Sequence, residues 1–117
     1  MRCAHRARAI LRVAYDERAL VRVPVPVLAE VCRGDARDGP VNLVLNGTGI
    51  GIIDLTARIA RRAGSLLARR KLSSEHAVDA FVVATALEFT SSVIATGDPK
   101  DIARLSSGYA QLRVFGI

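Results

Sequence analysis

Apolar and polar positions recur along the chain with two periods, and the changes of period mark the elements. Residues 4–15 (AHRARAILRVAY) place Ala7, Ile10, Leu11 and Ala14 at i, i+3, i+4 and i+7, which predicts a helix. Residues 19–23 (ALVRV) alternate like a short strand. Pro24 and Pro26 end it. Pro26 suits the first turn of a helix running through VLAEVC, with Gly34 as its stop. Arg33–Pro40 is a loop by composition, residues 41–47 fit neither period, and residues 49–53 (GIGII) read as a strand.

The second half is more regular. From Thr56 to Arg70, Ile59, Ala60, Ala63, Leu66 and Leu67 share one helical sector, and Arg58, Arg61, Arg62 and Arg69 occupy the opposite one. Ser73 and Ser74 look like a cap for a further helix, His76–Phe89. Its interior, AFVVATAL, is apolar almost all round, which predicts burial on most sides. Residues 92–96 (SVIAT) read as a strand inside a sheet. GDPKD is a turn, Ile102–Leu105 a short helix, and residues 111–115 (QLRVF) a closing strand. Strands separated by helices predict an α/β layer with a mostly parallel sheet.

Length changes the picture little: 117 residues suit a single domain, 1–117. Charge changes it more. Seventeen basic residues face eleven acidic ones, for a net charge of +6. Fifteen of the seventeen are arginine, the side chain that suits phosphate-bearing or acidic partners. The most apolar window, Val78–Phe89, carries Asp79 and Glu88 and is too short for a membrane span. Without a visible secretion signal, Cys3 and Cys32 read as reduced thiols of a cytoplasmic protein. His5 and His76 lack a partner at catalytic spacing and read as surface residues. The glycines of NGTGIGIID, residues 46–54, precede or lie within a strand and lack the Lys-Ser/Thr of a phosphate loop, so a nucleotide site is set aside.

Four carboxylates fall where a parallel sheet gathers its sites. Glu30 is on the helix after the first strand, Asp79 begins the buried helix, and Asp98 and Asp101 follow SVIAT. Singly, each has an ordinary role: a first-turn acid, a turn residue, a cap or a solvated position. Gathered in one cleft they repel, at roughly 4 kcal/mol for two charges about 4 Å apart at an effective dielectric of 20. A hard divalent cation, Mg2+ or Mn2+, removes that cost and takes oxygen ligands. An acidic metal pocket with an Arg-rich rim suits cleavage of a phosphodiester. On this reading Arg58, Arg61, Arg62 and Arg69 form a nucleic-acid-binding stripe.

The ordered runs VPVPVLAEVCRG, IIDLTARIARRAGSLLARR, SSEHAVDAFVVATAL, SVIATGDPKDIARL and LRVFGI resemble a PIN-domain protein, closest to the VapC-type ribonuclease toxins of bacterial toxin–antitoxin pairs. The resemblance extends from about Arg18 to the end, with AVDAFVVATAL and IATGDPKDI its most specific parts. It implies a three-layer α/β/α sandwich with a mostly parallel central sheet. It also implies an RNA substrate, Mg2+ or Mn2+ as cofactor, a homodimer and a cognate antitoxin. Carried over by position, Glu30 in LAEV, Asp79 in VDAF and Asp98 in TGDP are the catalytic acids and metal ligands, and Asp101 is a further ligand. The family's opening strand, with its Asp-Thr/Ser-Ser motif, has no counterpart in this sequence, and Asp16 and Glu17 do not replace it. The expectation is therefore an N-terminally truncated copy of the fold. Three functions follow: a metal-dependent toxin ribonuclease, a catalytically impaired PIN remnant that binds an antitoxin or nucleic acid without cutting, and an unrelated small α/β regulatory domain.

Overall fold

The computed structural model describes residue 9 and residues 11–117. Cys3, His5 and the first part of the expected 4–15 helix lie outside them. The chain forms two compact units, one up to Asp54 and one from Leu55 to Ile117.

In the first unit, residues 11–16 are helical (α1). Strand β1, Val21–Pro24, pairs parallel with β2, Ile50–Ile53, with Val21 opposite Ile50 and Pro24 opposite Ile53. Helix α2, Val25–Val31, starts directly after β1, with Pro26 in its first turn where a missing N–H costs nothing. It ends at Cys32 rather than at Gly34. Gly34 takes a left-handed φ of +79°. The Arg33 and Gly34 amides both donate to the Asp38 carboxylate, at 2.7 and 2.9 Å.

The expected loop 33–40 is more ordered than its composition implies. Asp35 accepts from the Arg37 amide and pairs with the Arg37 guanidinium, which holds the Asp35 carboxyl below the usual range and opens a 3-10 turn, Ala36–Asp38. The unassigned stretch that follows is helix α3, Gly39–Leu45, with Pro40 in its first turn. None of the described residues of this unit is buried.

The second unit holds the core. Helix α4, Ala57–Arg69, is capped by Thr56, whose Oγ1 accepts from the Ile59 amide at 3.1 Å, and it buries Ile59, Ala63 and Leu66. Those residues pack on α5, Ala77–Ala86, which buries Ala80, Val83, Ala84 and Thr85. Alanines on both helices let the backbones approach closely, and Thr85 satisfies its hydroxyl by donating to the Phe81 carbonyl at 2.7 Å. Helix α6, Pro99–Ser106, adds Ile102 and Leu105.

Strands β3, Ser92–Thr96, and β4, Leu112–Gly116, pair parallel, with Ile94 opposite Val114. Ile94 and Leu112 are buried against the helices, while Val93 and Phe115 on the other face are exposed. The mixed α/β class and the parallel strands are as expected. The described strands form two two-stranded sheets, one in each unit, and among the described residues SVIAT pairs on one edge, with β4. No described helix is long and apolar enough to cross a membrane.

Candidate metal centre

Two helices of the second unit begin with the same spacing of polar side chains. His76 is the N-cap residue of α5, and Asp79 follows in its first turn; Asp98 is the N-cap residue of α6, and Asp101 follows in its first turn. An i, i+3 pair at a helix start leans over one open turn, where free N–H groups stabilise negative charge. Neither N-cap side chain is spent on capping. Both are therefore available to their i+3 neighbours and to each other, since α5 packs against α6.

The result is a cluster. One donor atom from each of His76, Asp79 and Asp101 lies within 4.8 Å of the other two, and all three residues are half-buried. His76 Nδ1 stands 3.7 Å from Asp101 Oδ2, and His76 Nε2 stands 3.4 Å from Glu75 Oε1. Asp98 lies beside Asp101: interaction with the Asp101 side chain, then desolvation and the charge of Asp101, hold the Asp98 carboxyl above the usual carboxylate range, while the Asp101 backbone amide and the nearby His76 pull the other way. The Asp98 backbone is set by β3, its amide donating to Thr96 Oγ1 at 3.0 Å. The cluster thus lies past the carboxyl end of a parallel strand.

The sequence-predicted acids divide between the two units. Asp79, Asp98 and Asp101 belong to the second and come together there. Glu30 belongs to the first unit and is exposed on α2. His76 is the residue that sequence reasoning missed: its side chain is only 20% exposed, not a surface group, because α6 delivers Asp101 to it from 25 positions along the chain. Its spacing ahead of Asp79, the same as Asp98 to Asp101, was the available signal. Ser73 and Ser74 do not cap α5; a 3-10 turn, Ser74–His76, leads into it, and no side-chain cap bond forms. The turn GDPKD is shorter than expected, because α6 starts at Pro99.

The arginine stripe also divides. Arg58 pairs with Glu88, which is largely buried. Arg69 donates to the Tyr109 hydroxyl at 3.0 Å, with its guanidinium 5.9 Å from the ring centre. Arg61 is exposed and Arg62 half-buried.

A donor set of two carboxylates and an imidazole, with a third carboxyl close by, fits a divalent cation. Atoms bound at about 2.1 Å to one ion lie about 3 Å apart when adjacent and about 4.2 Å apart when opposite, and the 3.7 Å between His76 Nδ1 and Asp101 Oδ2 falls in that range. Parallel strands and a cluster that could hold a metal ion mark the class as an α/β domain with a candidate metal centre. The PIN-domain family matches residues 4–107, and the chain belongs to that family. Its fold is generally that of a nuclease, and its members generally use divalent metal ions. Comparison with curated proteins and with solved structures gives no match.

Proposed function

We propose that this chain is a metal-dependent ribonuclease, the toxin of a toxin–antitoxin pair of the VapC type, acting in the cytoplasm. The observation that carries the reading is the meeting of Asp79 and Asp101 at two helix N-termini in a chain of the PIN-domain family. Asp79 and Asp101 would hold Mg2+ or Mn2+. Asp98, beside Asp101, is a catalytic acid and ligand of the same set on the family resemblance. Glu30 is assigned to the same acidic set on the family resemblance.

When bound, such an ion lowers the pKa of water beside it and offsets charge on the phosphoryl oxygens. The chain's own residues supply the rest. The first turns of α5 and α6 place the positive end of each helix beside Asp79 and Asp101, which favours negative charge there. Exposed Arg61, with Arg62 beside it, draws the RNA backbone to this unit. The net charge of +6 suits RNA and equally an acidic antitoxin segment that would silence the enzyme. A homodimer belongs to the same proposal.

Purified protein incubated with labelled RNA tests this. Cleavage should require Mg2+ or Mn2+, stop with chelator, return when metal is restored, and fall about 100-fold or more in Asp79→Asn. Cleavage indifferent to chelator and to that substitution refutes the proposal. RNA or antitoxin binding without any cleavage points to the impaired, binding-only form of the fold.

A further inference from the structure

Resting on the metal-centre reading above, we infer that His76 is a nitrogen donor to the metal, and that it biases the centre toward Mn2+ against Mg2+. The distance from His76 Nδ1 to Asp101 Oδ2 decides between two roles. At 3.7 Å it is too long for a hydrogen bond, which needs about 2.7–3.2 Å. It lies inside the range of about 3–4.2 Å expected for two atoms bound to one ion.

At the ring's other edge Glu75 Oε1 stands 3.4 Å from Nε2, so Nδ1 is the nitrogen nearer Asp101. Burial also favours the ligand role. The His76 and Asp101 side chains are 20% and 28% exposed, so the ring has little freedom to swing out into water. As the N-cap of α5 it is anchored at the end of a rigid helix, one turn from Asp79.

The consequence is a mixed nitrogen and oxygen donor set. Mg2+ is a hard ion that strongly favours oxygen, whereas first-row transition ions accept imidazole readily. Replacing His76 should therefore cost Mn2+ more than it costs Mg2+.

The test is pulsed electron paramagnetic resonance of Mn2+ bound to the full chain, together with calorimetric titration of Mn2+ and Mg2+. Nitrogen-14 modulation from a coordinated imidazole is expected in the unaltered protein, retained in His5→Gln and lost in His76→Gln. Because His5 and His76 are the chain's two histidines, the His5→Gln spectrum alone assigns the signal should His76→Gln fold poorly. In His76→Gln the ratio of Mn2+ to Mg2+ affinity should fall about tenfold. Mn2+ that binds, is released by Asp79→Asn and shows no nitrogen modulation overturns the inference and leaves the metal centre standing. An unchanged affinity ratio in folded His76→Gln overturns it as well. Absence of Mn2+ binding, or binding indifferent to Asp79→Asn, overturns the centre and the inference together.

Discussion

Replacing Asp79 by asparagine should raise stability in chelator and lower it in Mn2+, so the two melting curves exchange order. The Asp79 and Asp101 donor atoms lie within 4.8 Å of each other. Two unit charges at that distance repel by about 3.5 kcal/mol at an effective dielectric of 20. Physiological salt, with a Debye length of about 8 Å, reduces this by nearly half. The His76 imidazole near Asp101 and the partial exposure of Asp101 reduce it further. Against the relief stands the lost attraction between Asp79 and the α5 N-terminus, about 0.3–1 kcal/mol. The balance is a gain of about 1 kcal/mol, or about 3–6 °C in Tm for a domain of this size. Added Mn2+ reverses the order, since a ligand at 100 times its Kd stabilises the unaltered chain by about 2.7 kcal/mol and the variant by less. Differential scanning calorimetry in both buffers measures each arm. A variant that melts below the unaltered protein in chelator would show that Asp79 serves its helix and not a shared cluster.

Arg61→Gln combined with Arg62→Gln should weaken RNA binding at low salt and flatten the log–log salt dependence by up to about 1.4, as measured by fluorescence anisotropy; an unchanged slope returns these residues to the solvated face. Arg58→Gln should instead cost about 1 kcal/mol of stability in urea, because it leaves the Glu88 carboxylate, 19% exposed, without its partner, whereas Arg61→Gln alone should stay within about 0.5 kcal/mol. Ile102→Ala removes a side chain 1% exposed at the centre of the core and should cost about 2–5 kcal/mol; a loss below 1 kcal/mol would contradict the packing described.

What the sequence disclosed followed local pattern. The α4 stripe, the all-round apolar α5, and strands β2, β3 and β4 were readable because their periodicity is carried by the residues themselves. Helix α3 was not. GPVNLVL is too short to display a helical period, and its approach is shaped by Asp35 and Asp38, whose side chains bond neighbouring amides. The division of the strands into two pairs is a matter of non-local pairing, which strand composition does not encode. The site shows the same boundary. Asp79 and Asp98 were legible at the ends of recognisable elements. The part of His76 depended on α5 packing against α6, which no local pattern reports.

The most direct measurement is an anomalous difference map from a crystal of this protein soaked in Mn2+, recorded on the manganese absorption edge. The account expects a peak bounded by the Asp79 and Asp101 carboxylates and the His76 ring. A peak elsewhere, or none at these residues when Mn2+ is known to bind, contradicts it.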